Sequence, residues 1–278
     1  MSAVAVAADY ASVDGYPLGV HHGIPFETYL RLPAISSHGL MLIERSPMHY
    51  RHAIESPHKP TQAQALGTLV HALTLTPDLE EYTVAPVVDR RTKAGKAEWA
   101  EFQADAEARG LLVVTADQMT RAQAMRDAVI AQPFARALLA DGDPEVTMLW
   151  ERDGVSCKAR ADWVCGGHQV IVDLKTAADA SEQGFRRAVG QWRYHMQAAH
   201  YIDAARATGL GERTFVFIVV ESEPPHGVAL YQLGERELHA GGVRIRRAMD
   251  AYRECVDTGS WPGYPTEISP IELAPWAL

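Results

Sequence analysis

Cysteine is scarce. The three present, Cys157, Cys165 and Cys255, are odd in number and form no close pair. That excludes a disulfide framework and a four-cysteine cluster, and leaves reduced thiols as the expectation. Long apolar runs are also missing: none approaches the ~20 residues that a membrane-spanning helix needs. The opening MSAVAVAADY has no basic stretch ahead of its apolar residues, so no signal peptide is read and a cytoplasmic location is expected. A basic excess is lacking as well, with 26 Lys and Arg against 35 Asp and Glu, a net charge of −9. A nucleic-acid binder is usually basic, so a reading of that kind must rest on local fields rather than on the total. Apolar residues make up 47% of the 278 residues and charged ones 22%, which excludes an acidic disordered chain and supplies a substantial core.

Periodicity divides the chain. Residues 1–24 carry Gly15, Pro17, Gly19 and Gly23 without a repeat and read as a loose arm. Ser36 or Ser37 can cap a helix over HGLMLIERS that Pro47 ends. Leu66, Leu69, Val70 and Leu73 give one buried face to a helix over residues 62–75. A basic loop over residues 83–96 precedes helices near 96–109 and 115–140. Residues 145–151, 155–164 and 169–176 then read as strands, joined by the hairpin turns Asp153-Gly154 and Gly166-Gly167. One long helix is expected over residues 181–208, strands over 213–221 and 227–233, and a final helix over 235–258. The expected fold class is α/β (α+β): a mixed central sheet containing an antiparallel meander, flanked by helices. One domain over residues 25–264 with a tail over 265–278 accounts for the whole.

The chemistry concentrates on the meander. Its third strand, VIVDLKT, turns from apolar to Asp173, Leu174 and Lys175. Side chains alternate along a strand, so Asp173 and Lys175 share a face. Asp162, near the end of the preceding strand, can lie beside Asp173. Two such carboxylates repel unless a cation lies between them, and a hard divalent ion is the natural partner. Lys175 could then position a water or stabilise charge on a phosphate. A structural ion pair is the plain alternative. His71, set among apolar residues in GTLVHALTL, reads as a satisfied core histidine when taken alone. Gln197 and Tyr201 share a helix face by their spacing of four. Arg186, Arg187 and Arg193 with Trp192 form a candidate DNA-contacting group. Glu145 and Glu151 are further acids near the meander that sequence alone does not place.

Taken in order, G-T-L-V-H, D-W-V, V-D-L-K-T and Q-x-x-x-Y resemble the RecB-type branch of PD-(D/E)XK nucleases, and within it the RecE (exonuclease VIII) group with its prophage relatives. Residues 32–37 (LPAISS), Ser46-Pro47-x-x-Tyr50 and the ending around Trp261-Pro262-Gly263-Tyr264 share the likeness, which runs from about residue 25 to 264. The resemblance implies a restriction-endonuclease-like core. It implies His71, Asp162, Asp173 and the Leu174 carbonyl as metal ligands, Lys175 as the catalytic lysine, and Gln197 and Tyr201 as supports of the site and the DNA end. It implies Mg²⁺, with Mn²⁺ able to substitute. It further implies exonucleolytic degradation of linear duplex DNA from the 5′ strand, a ring-shaped homo-oligomer, and a single-strand annealing partner in recombination. Relatives that carry an iron–sulfur cluster differ, since this chain lacks the four cysteines. An endonuclease of the same fold and a non-catalytic DNA-binding or assembly module are the alternatives.

Overall fold

The computed structural model describes residues 12–56, 61–268 and 270–272. In chain order it contains β1 (Ser12–Val13), β2 (Tyr16–Pro17), β3 (Gly19–His21), α1 (Phe26–Arg31), α2 (Ser37–Arg45), α3 (Pro47–Glu55), α4 (Gln62–Leu75), β4 (Tyr82–Val84), α5 (Lys93–Ala108), β5 (Leu112–Val114), α6 (Ala116–Ala131) and α7 (Pro133–Leu138). The second half contains β6 (Gly142–Arg152), β7 (Val155–Cys165), β8 (Val170–Ala177), α8 (Glu182–Trp192), α9 (Tyr194–Ala207), β9 (Thr214–Glu221), β10 (Val228–Gln232) and α10 (Glu235–Thr258). A six-stranded mixed sheet in the order β10-β9-β8-β7-β6-β3 is the centre of the molecule. The meander β6-β7-β8 is antiparallel, as its turn residues require, and β8 runs parallel to β9 through the α8–α9 connection.

Alternation along the buried strands gives each face of the sheet its own core. Phe215, Phe217 and Val219 of β9 pack with α2, α9 and α10, while Ile218 and Val220 pack with α4, α6 and α7. Helix starts follow local chemistry. Thr61 with Gln64 and Thr115 with Gln118 form reciprocal capping boxes at α4 and α6. Gly241 lets α10 close on α9, because a Cβ there would lie 2.1 Å from the His195 carbonyl oxygen.

Three sequence expectations are corrected. Of the supposed loose arm, residues 12–24 form a small hairpin and the edge strand β3, which pairs with β6 through Val20 and Met148. Val13 and Ile24 are buried against Leu149; residues 1–11 lie outside the described residues. The single helix over 115–140 divides at Pro133, which fits the first turn of α7 but cannot continue α6. The long helix over 181–208 divides at Arg193, which adopts a left-handed φ of 58°. That conformation costs roughly 1–2 kcal/mol for a residue with a Cβ. The Arg193 guanidinium offsets it by donating to the Gly190 carbonyl at 2.6 Å and to Glu44 at 3.2 Å.

Beneath α1, Lys158 is buried and meets no carboxylate among the described residues. Its ammonium donates to the carbonyls of Tyr29, Leu30 and Leu32 at 2.8, 3.0 and 2.9 Å, closing the C-terminal end of α1. Burial pulls its pKa down to about 8, so it keeps its proton at neutral pH. Lys158→Met, which removes all three of these hydrogen bonds and leaves only the backbone amides of Leu32 and Ala34 donating to the Tyr29 and Leu32 carbonyls, is expected to lower unfolding stability by about 1–3 kcal/mol in a urea titration.

Candidate active site

The hairpin turn sets the site. Asp153 and Gly154 both have positive φ, 51° and 78°, as a two-residue type I′ turn requires. The register that follows pairs Arg152 with Val155 and Glu151 with Ser156, and brings Glu145 opposite Asp162. At that step the ladder lapses. Pairing holds at Pro144–Trp163 and at Val146–Ala161 but not between them, and Glu145 has a left-handed φ of 54°. Strand β7 also parts from β8 there, with pairing confined to Trp163–Val172 and Val164–Ile171. Continued one step, that register would place Asp162 across from Asp173.

Side chains occupy the gap. The Leu174 amide, lacking a strand partner on that side, donates to Asp162 Oδ2 at 2.8 Å. The Leu174 carbonyl accepts from His71 Nε2 at 2.6 Å, and His71 Nδ1 lies 3.6 Å from Asp162 Oδ2. Glu145 joins them: His71, Glu145 and Asp162 offer ligand atoms that all lie within 4.8 Å of one another. Arg160 Nε holds Glu145 Oε2 at 2.6 Å and also ties the segment before α1 by donating to the Ile24 carbonyl. Asp173 faces α9. Its Oδ1 accepts from Gln197 Nε2 at 2.6 Å, and its Oδ2 lies 2.5 Å from Lys175 Nζ as an ion pair, without a well-directed hydrogen bond. Lys175 Nζ sits 4.9 Å from the centre of the Tyr194 ring. Tyr201 is buried and donates to the Arg160 carbonyl at 2.9 Å, fixing β7 two residues before Asp162.

The electrostatics suit a cation. Burial, with the neighbouring Asp173 charge, pushes the Asp162 carboxyl up to about 7. Burial and Asp162 also raise Glu145, against the opposing pull of Arg160. Burial lowers His71, favouring the neutral imidazole that binds metal. For Lys175, burial alone would lower the pKa, but Asp173 and Asp162 outweigh it and the net shift is upward. Carboxylates raised by burial and by one another's charge, a neutral imidazole and a backbone carbonyl form a donor set that fits a hard or borderline divalent ion.

The structure brings His71, Asp162 and Leu174 together. Glu145, which the sequence reading left unplaced, completes the His71–Asp162 cluster, while Asp173 is held by Lys175 and Gln197. The signal for Glu145 lay in the register counted from Asp153-Gly154. Glu151 is exposed beside the turn. Among the proposed DNA contacts, Arg187 and Trp192 line a cavity with Lys175. Arg186 is paired to Glu182, and Arg193 to Glu44.

A family model described as "PDDEXK-like domain of unknown function (DUF3799)" matches residues 36–272. The chain belongs to this PDDEXK-like family. No curated protein matches it in sequence. A crystal structure from Eubacterium rectale, named "Putative exonuclease", superposes on the PDDEXK-like chain with a TM-score of 0.59 at 13% identity, over 89% of this chain and 97% of the other. At that identity the likeness establishes the fold. A "phage related exonuclease" from Haemophilus somnus 129PT has a TM-score of 0.35 at 11% identity, over 82% of this chain and 96% of the other. Among the described residues of the PDDEXK-like chain, no helix is long and apolar enough to cross a membrane.

Proposed function

We propose that the protein is a divalent-cation-dependent exodeoxyribonuclease that hydrolyses linear double-stranded DNA from its ends, in the 5′ to 3′ direction. The supporting observation is the gap between β7 and β8, where His71, Glu145 and Asp162 converge beside the Asp173–Lys175 pair. The PDDEXK-like family and the name of the Eubacterium rectale protein support a nuclease, and an exonuclease in particular. Polarity, a role in recombination by single-strand annealing, a ring-shaped homo-oligomer and an annealing partner rest on the RecE likeness. A ring would gather Arg187 and its basic neighbours around one channel, which answers the net charge of −9. We also place the activity in the cytoplasm of a bacterium or a phage-infected host.

His71, Glu145, Asp162 and the Leu174 carbonyl would hold Mg²⁺, with Asp173 adjoining across the gap; the imidazole makes Mn²⁺ an effective substitute. When bound, the cation supplies a water of lowered pKa and neutralises charge on the phosphate. Lys175 keeps its proton, so it donates to a non-bridging phosphate oxygen or to the attacking water, and does not act as a base. Asp173 aims that ammonium, and Gln197 fixes Asp173. Tyr201 steadies the strand carrying Asp162. The exposed arginines contribute salt-sensitive phosphate contacts that do not read sequence.

Purified protein incubated with linear and with covalently closed circular duplex DNA tests the proposal. Release of acid-soluble nucleotides from the linear substrate alone, and only with Mg²⁺ or Mn²⁺, is expected. Cutting of the closed circle would make it an endonuclease, and no hydrolysis of either would leave a DNA-binding module.

A further inference from the structure

Beside Lys175 a cavity of about 340 Å³ opens between the end of β8 and α8. Its size is at the lower end for small-ligand sites. Small residues make the space: Ala177 and Ala178 on one wall, Gly184 and Ala188 on the other. Along α8, Gly184, Ala188, Gln191 and Trp192 present one helical face to it, at the spacing a 3.6-residue repeat dictates. The left-handed turn at Arg193 ends α8, and Trp192 and Tyr194, on either side of the bend, both line the cavity. Tyr194 is packed on Phe185 and Phe217 and carries Lys175 over its ring. Trp192 is 57% exposed and makes no ring contact among the described residues. Trp192 thus offers an exposed indole face beside a slot walled by small residues, a surface on which a flat ring can stack.

We infer that this cavity is a subsite for one unpaired nucleoside at the strand end, its base stacked on Trp192 and its phosphate reaching Lys175. The inference rests on the proposed nuclease reading and specifies the substrate at the same site. Lys175 gives the phosphate end a cation that is already fixed. Away from Lys175, at the exposed rim, Arg187 is met by Asp179 at 3.2 Å, so the outer part of the slot beside Trp192 is nearly neutral and suits a base rather than a second phosphate. Stacking serves every base, consistent with an enzyme that does not read sequence. A slot of this size takes one nucleoside, so the terminal base pair must open for the base to enter it.

Oligonucleotides carrying 2-aminopurine at the 5′ end, at the 3′ end or centrally, bound to wild-type protein in EDTA, test this. Quenching is expected at one end and not centrally. It should be lost in Trp192→Ala and kept in Trp192→Phe. In the hydrolysis assay Trp192→Ala should raise KM about tenfold or more, with a smaller change in kcat. Because Trp192 is exposed, thermal unfolding should match wild type, and that match checks the variant. Quenching at the central position equal to that at the ends, or unchanged by Trp192→Ala, overturns the subsite. So does the absence of quenching anywhere, the result expected if a protein segment covers the slot. DNA hydrolysis by wild type with kinetics unchanged in Trp192→Ala defeats the subsite and leaves the nuclease reading standing. Trp192-dependent end quenching without any hydrolysis defeats the nuclease reading and leaves the subsite.

Discussion

Changing Asp173→Asn and Lys175→Met together is expected to abolish DNA hydrolysis, by about a thousandfold or more, while the protein still folds. The double change is the informative one because of burial. Asp173 is 2% exposed, and its carboxylate faces Lys175 at 2.5 Å. Either single change strands the opposite charge inside the protein, at a cost of roughly 3–5 kcal/mol. Lost activity in a single variant therefore confounds chemistry with unfolding. In the double variant both charges go. The introduced carboxamide oxygen can still accept from Gln197, and the introduced thioether can still pack on Tyr194. Folding is checked by circular dichroism and thermal unfolding, and activity by nucleotide release. Activity within tenfold of wild type in the folded double variant would remove Asp173 and Lys175 from the chemistry.

The second large effect is on pH. In the metal-free protein the Asp162 carboxyl titrates at about 7, against an ordinary value of 3.8. The folded state therefore keeps a proton that the unfolded chain gives up near 3.8. The associated stability is present below that value and is lost as the pH rises to about 7. A cation has to displace the same proton. Its affinity should climb about tenfold per pH unit below 7 and level off above. Stabilisation by saturating Mn²⁺ should accordingly be larger at pH 8 than at pH 6. Calorimetric titration in two buffers of different ionisation enthalpy reads the proton release directly. Affinity that is flat between pH 5.5 and 7.5 would place the cation elsewhere.

Much of this arrangement is legible in the sequence, and the gaps have physical reasons. The meander is written in alternating side chains and in Asp153-Gly154, a turn whose two positive φ angles few other residue pairs accept. The approach of Asp162 to Asp173 does not follow from the next turn as read in the sequence: a two-residue turn at Gly166-Gly167 would pair Cys165 with His168, whereas the observed register pairs Val164 with Ile171 across a longer loop, and neither glycine has a positive φ. Strand β3 is too short, at three residues, to show a period, and its place is decided by the free edge of β6. The break at Arg193 has no Gly or Pro to announce it, because the ion pair to Glu44 holding the left-handed turn comes from a distant helix. Glu145 was countable from the hairpin register. Its lapse from the ladder was not, since that depends on Arg160 and on the parting of β7 from β8.

The most direct measurement is a Mn²⁺ titration followed by electron paramagnetic resonance at pH 7.5, comparing wild type with Asp162→Asn. The asparagine can still accept from the Leu174 amide, so the backbone hydrogen bond survives while the charge does not. Saturable binding in wild type, weakened a hundredfold or more (about 2.7 kcal/mol) in a variant that, metal-free, unfolds at no lower a temperature, is the predicted result. Equal Mn²⁺ binding in the two proteins, or none in either, would contradict a cation seated between β7 and β8.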